Sequence, residues 1–98
     1  MKVYKANNEI VSQIKDGEFY AGESIDTTAF ALDINASIRV SGDINAGDIK
    51  VWNINAGDIN YYAVAYAYQN ITCRSITSTR AQARHFVLDG TLEIKGEG

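Results

Sequence analysis

The side chains with chemistry to offer fall into four groups. Cys73, His85 and Asp89 form the first: a thiol, an imidazole and an acid to orient it. Nucleophilic catalysis asks more than that trio. The thiol needs a depressed pKa, and donors must wait for the developing oxyanion. Nothing in the sequence marks either, and a lone cysteine usually packs as a small apolar residue. One Cys and one His are also too few to hold zinc. The second group is the pair Asp33-Ile34-Asn35 and Asp43-Ile44-Asn45. Calcium wants many oxygens converging on one point, with a distal acid or an ordered Gly-rich loop. Neither is present, so these residues read as turn formers that hydrogen-bond the backbone. Gly42-Asp-Ile-Asn-Ala-Gly47 lacks the Lys-Ser/Thr of a phosphate loop. We expect no metal, no cofactor and no enzymatic activity.

The third group is acidic. Residues 16–58 carry eight acids against two bases, net −6, while residues 59–88 carry Arg74, Arg80 and Arg84 and no acid. One stretch is therefore acidic and another basic, which the overall charge of −3 conceals. Asp33, Asp43, Asp48 and Asp58 are the candidates for an acidic partner-binding surface. Held rigidly, such carboxylates offer an imitation of DNA phosphates. The fourth group is aromatic: Trp52, Tyr61, Tyr62, Tyr66 and Tyr68, followed by the three arginines. Tyr, Trp and Arg are the favoured anchors of protein interfaces. Tyr61, Tyr62, Arg74, Arg80 and Arg84 are the candidates for a second, aromatic and basic surface. Direct nucleic-acid binding is disfavoured, because such domains are usually basic.

The elements that must position these groups follow from composition. The chain has 98 residues, enough for one domain with a modest core. Twelve Ile and six Val stand against three Leu, a β-branched excess that reads as strand. There is no proline, which cannot donate to a strand ladder. With one cysteine there is no internal disulfide, and nothing implies secretion. No long apolar run suggests a membrane span, and the first residues lack an apolar leader core. We expect a cytoplasmic protein, as monomer or homodimer.

Repeats organise the middle. Ile44, Ile49, Ile54, Ile59 and Val64 recur every five residues, and Asp43, Asp48, Asn53 and Asp58 precede the first four. Asp33-Ile-Asn-Ala36, Asp43-Ile-Asn-Ala46 and Asn53-Ile-Asn-Ala56 add a ten-residue period. Neither spacing suits an α-helix. Both suit a solenoid whose short strands alternate with tight corners, with Ile pointing in and Asp, Asn or Gly at the corners.

Gly47-Asp48-Ile49-Lys50-Val51 and Gly57-Asp58-Ile59-Asn60-Tyr61 resemble the unit of pentapeptide-repeat proteins. The resemblance implies a quadrilateral β-helix with four five-residue sides to each turn. It covers residues 43–66 well. Ile replaces the family's central Leu or Phe, and Trp52 fills a slot that should be small. The chain is also similar to small uncharacterised proteins of Gram-positive bacteria and their mobile elements. Some pentapeptide-repeat proteins occupy the DNA site of gyrase.

The expected fold is mainly β, a short parallel β-solenoid in one domain. Residues 1–17 form an N-terminal cap with a short helix begun at Asn8, residues 18–85 the solenoid, and residues 86–95 a closing β-hairpin about Asp89-Gly90. The expected function is a non-enzymatic protein-binding module. Its sharpest form is a small acidic DNA-mimic inhibitor, phage or mobile-element encoded, acting on gyrase or a CRISPR effector. The alternative is a self-assembling solenoid that uses its open end or its Tyr-rich face.

Overall fold

The computed structural model describes residues 2–79 and 85–94. Its strands are β1 (Lys2–Val3), β2 (Glu18–Ala21), β3 (Ile25–Asp33), β4 (Ser37–Val40), β5 (Ile44–Asn55), β6 (Asp58–Cys73), β7 (Ser75–Ser78), β8 (His85–Val87) and β9 (Leu92–Ile94), with one helix, α1 (Asn7–Val11). Every pairing between these strands is parallel, so the chain winds and stacks coil on coil. The parallel β-solenoid expected from the repeats is the fold.

The register shows how the five-residue spacing closes. Ile44 stands beside Ile59, fifteen residues on, with Ile49 and Ile54 between them on the other sides. One coil is therefore three sides of five residues. The four-sided turn implied by the pentapeptide-repeat resemblance is corrected to three. The ten-residue period spans two sides, so Ile34, Ile44 and Ile54 lie on three different faces. Other coils are longer: Ile25 pairs with Ile44 nineteen residues away, and Ala65 with His85 twenty away. The extra residues enter at corners, where the ladder shifts register, as between Thr27 and Ala31.

Three inward columns fill the core. Face A stacks Ile25, Ile44, Ile59 and Ile76. Face B stacks Leu32, Ile49, Ala65 and His85. Face C stacks Phe19, Ile38, Ile54, Ile71 and Leu92. The isoleucines from 25 to 71 in these columns are fully buried. Each buried β-branched chain contributes about 1.5–3 kcal/mol relative to exposure. Their stiff χ1 suits a pleated wall.

The N-terminal end is covered, as expected, but by different chemistry. Helix α1 begins after Ala6, which makes no side-chain cap, and buries Ile10. Asn7 caps a strand rather than the helix. Its Nδ2 donates to the Ala31 carbonyl at 3.0 Å and its Oδ1 accepts the Asp33 N–H at 3.0 Å. The side-chain amide thus replaces one peptide of a missing neighbouring strand and protects the edge of β3. Tyr4 packs edge-on against Phe19, with centroids 5.8 Å apart. Asp16 and Gly17 both take positive φ in the turn into β2.

The expected C-terminal hairpin is a correction. β8 and β9 do not pair with each other; each lies parallel on β6. Asp89-Gly90 is a corner between two sides of the last coil. The Asp89 N–H donates to the Tyr68 carbonyl at 2.8 Å, continuing the solenoid ladder.

Candidate functional site

The repeat Asp and Asn residues hold the corners. At the corner before face A, the Asp43 N–H donates to Ser24 Oγ at 2.9 Å, and Asp43 Oδ1 accepts the Asp58 N–H at 2.8 Å. Asp58 in turn accepts Ser75 Oγ at 2.8 Å and the Arg74 guanidinium at 3.0 and 2.7 Å. Arg74, then Ser75, hold the Asp58 carboxyl at about 2. At the corner before face C, Asn53 Oδ1 accepts the Asn70 N–H at 3.1 Å, and Asn70 Oδ1 accepts the Thr91 N–H at 3.0 Å. Asp43, Asn53 and Asn70 each satisfy a backbone donor one coil further on, while Asp58 accepts side-chain donors there.

The acidic candidates consequently divide. Asp43 and Asp58 stack at one corner, where a twenty-residue coil would have parted them. Asp48 and Asp33 lie on face B, where Asp48 stands beside Ala31 and Asp33 beside Lys50. The four acids occupy two places on the solenoid.

The aromatic candidates divide as well. Tyr61 points inward and is fully buried, and its hydroxyl meets His85 Nδ1 at 2.6 Å. The two rings are edge-on with centroids 5.7 Å apart. Ala65 and Ala67, also buried in β6, leave the volume that the large ring takes. Tyr62, the next residue, points outward. Arg74 sits with Asp58, away from the tyrosines on face B. Arg80 and Arg84 lie outside the described residues. Cys73 is buried on face C, and burial, then the nearby Asp58 charge, pushes its thiol pKa up. That is the wrong direction for a nucleophile.

Face B carries Trp52, Tyr66 and Tyr68, members of the aromatic group in the sequence but not among the residues expected to form the aromatic and basic surface. Outward positions stack Asp33, Lys50 and Tyr66 in one column and place Asn35, Trp52 and Tyr68 beside it. Trp52 and Tyr68 are 38% and 39% exposed, with ring centroids 4.8 Å apart and planes tilted by 44°. Trp52 Nε1 donates to Asn35 Oδ1, which fixes the indole. These side chains, with Asp33, Lys50 and Tyr66, line a surface depression of about 300 Å³. The signal for it lay at coil spacing: Asn35, Trp52 and Tyr68 are seventeen and sixteen residues apart.

The chain matches no family model, and no curated protein or solved structure is significantly similar to it. Among the described residues, no helix is long and apolar enough to cross a membrane.

Proposed function

We propose that the protein is a non-enzymatic protein-binding module and that it engages its partner through face B. The observation that carries this reading is the Trp52–Tyr68 pair, half exposed and held at 4.8 Å on a parallel ladder. Aromatic side chains fixed by their own scaffold lose little entropy on binding. They are also the residue types that dominate interface energy. Lys50 and Asp33 at the rim add one charge of each sign for orientation.

The finer form of the reading is an acidic inhibitor of a nucleic-acid-handling enzyme, gyrase or a CRISPR effector, carried by a phage or mobile element. It draws on the pentapeptide-repeat resemblance and on the Asp43–Asp58 stack. Stacked coils set such carboxylates about 4.8 Å apart, against about 1.7 Å per charge along duplex DNA. Arg74 also offsets Asp58. Face B therefore carries the reading further than the carboxylates do.

The test is capture of a partner by the wild type and by two variants. Trp52→Ala is expected to weaken capture by about 30-fold or more, as loss of a hot spot does. Asp43, Asp48 and Asp58 changed together to Asn should retain it, since none of the three lines the face B depression. The reverse result transfers the function to the acidic surface. A concentration series in sedimentation separates the self-assembling alternative, which requires mass to rise with concentration.

A further inference from the structure

The two ends of the solenoid differ. At the N-terminal end α1 packs on β3 and buries Ile10, and the Asn7 amide occupies the edge of β3. At the other end β7, β8 and β9 each pair with β6 and, among the described residues, with no strand on their far side. The inward columns show the consequence. Ile76 stacks on Ile59, Val87 on Ala67, Leu92 on Ile71 and Ile94 on Cys73. The lower member of every pair is buried. Ile76, Val87 and Leu92 are only partly so, and Ile94 is 52% exposed. These are core positions whose covering layer is missing.

We infer that this end is the interface of a two-fold dimer, its occupant a second copy of the same chain. β7, β8 and β9 are four, three and three residues long, one on each face. A single extended peptide can pair with only one of these edges, over less than the usual strand length. A second three-sided coil brings three edges at once. Under a two-fold axis lying across the solenoid, the facing edges run antiparallel and the inward columns of the two copies meet tip to tip. Ile76, Val87, Leu92 and Ile94 then enter one continuous core. Charge favours the same end. Residues 74–98 carry four bases and three acids, against five bases and nine acids in residues 1–73, so two copies meet there with little repulsion. Growth stops at two chains, because α1 and Asn7 obstruct head-to-tail addition at the opposite end. The dimer does not depend on the face B reading; it leaves one face B open on each copy.

The experiment is sedimentation of the whole chain from about 1 to 300 µM. Mass should rise to that of two chains and stop. Ile94→Asp buries a carboxylate from each copy in the interface and should weaken association by about 100-fold or more. Ile94 is exposed in the single chain, so this variant should keep the wild-type circular dichroism and Tm. Val11→Asp, on α1 at the other end and 51% exposed, and Trp52→Ala, on face B, should dimerise like the wild type. A single-chain mass at about 300 µM, growth beyond two chains, a dimer that survives Ile94→Asp, or one lost in Val11→Asp or Trp52→Ala overturns the assignment. Should Ile94→Asp fail to fold, hydrogen exchange of the wild type decides. Amides of β7, β8 and β9 should gain protection as concentration rises while those of α1 do not, and protection independent of concentration overturns the dimer.

Discussion

Asp43 Oδ1 accepts the backbone N–H of Asp58, the residue one coil above it in the same repeat position, at 2.8 Å. A side chain from one repeat thereby terminates the backbone of the next, as an N-cap does for a helix. Asp43→Ala leaves that donor in a half-buried corner without its acceptor. The expected cost is about 1–2 kcal/mol, or a fall in Tm of about 4–15 °C for a domain of this size. Asp43→Asn keeps the accepting oxygen and should cost far less. Thermal unfolding of the two variants checks this, and equal losses would show that charge rather than the hydrogen bond matters.

The same corner sets its glycines. The Gly57 N–H donates to the Gly42 carbonyl at 2.8 Å. A Cβ on Gly42 would lie 2.4 Å from Ser24 Oγ and 2.7 Å from the Ser24 nitrogen. Gly42→Ala must therefore push adjacent coils apart and is expected to cost about 2 kcal/mol or more. Gly47→Ala makes only an ordinary contact with the Thr28 carbonyl at 3.9 Å and should change stability by about 0.5 kcal/mol or less. Urea unfolding of the pair distinguishes them, and similar midpoints would refute the close approach of coils at Gly42.

Much of this architecture was legible because its period is local. Ile44, Ile49, Ile54 and Ile59 announce one inward residue per side, and Asp or Asn before each announces a corner. How many sides close a coil is not local. It depends on which isoleucines meet, and Ile44 meeting Ile59 rather than a residue twenty away is a packing outcome. The last coil misled for a related reason. Asp89-Gly90 between apolar runs is a hairpin signal at short range, yet β6 already offers parallel edges for β8 and β9. The candidate sites suffered most. Tyr61 and Tyr62 are adjacent in sequence but point to opposite sides of the sheet, so one is core and the other surface. Trp52 and Tyr68 become neighbours only after the coil length is known.

Acid should reach the solenoid through Asp58. Its folded pKa of about 2 lies below the ordinary carboxylate value, because Arg74 and then Ser75 bond the ionised form. A group shifted in that direction adds stability above its unfolded pKa, and the contribution disappears as pH falls toward 2. Arg74→Met removes the principal cause, so Asp58 should then titrate nearer the ordinary range. Carboxyl NMR across an acid titration reads the midpoint directly. An Asp58 midpoint unmoved by Arg74→Met would leave the ion pair without influence. The exposed setting also makes the effect sensitive to salt.

The half-buried Tyr61–His85 bond ties the last coil to the one beneath it. Tyr61 is enclosed on face A, and His85 occupies the inward position of face B above Ala65. Their 2.6 Å contact closes the corner between the two faces. Tyr61→Phe keeps the ring and the packing but removes the hydroxyl, leaving His85 Nδ1 facing an apolar edge. The expected loss is about 1–3 kcal/mol, the cost of stranding a partly buried polar group. Because β8 is only three residues long, that loss should appear first as local opening. Hydrogen exchange should accelerate at the amides of residues 85–87 while those of Ile44, Ile49 and Ile54 stay protected. Uniform acceleration along the whole chain would mean that the coils unfold together and that Tyr61 serves the entire solenoid. Replacing both partners, Tyr61→Phe with His85→Leu, should recover part of the loss, because an apolar pair leaves nothing unpaired.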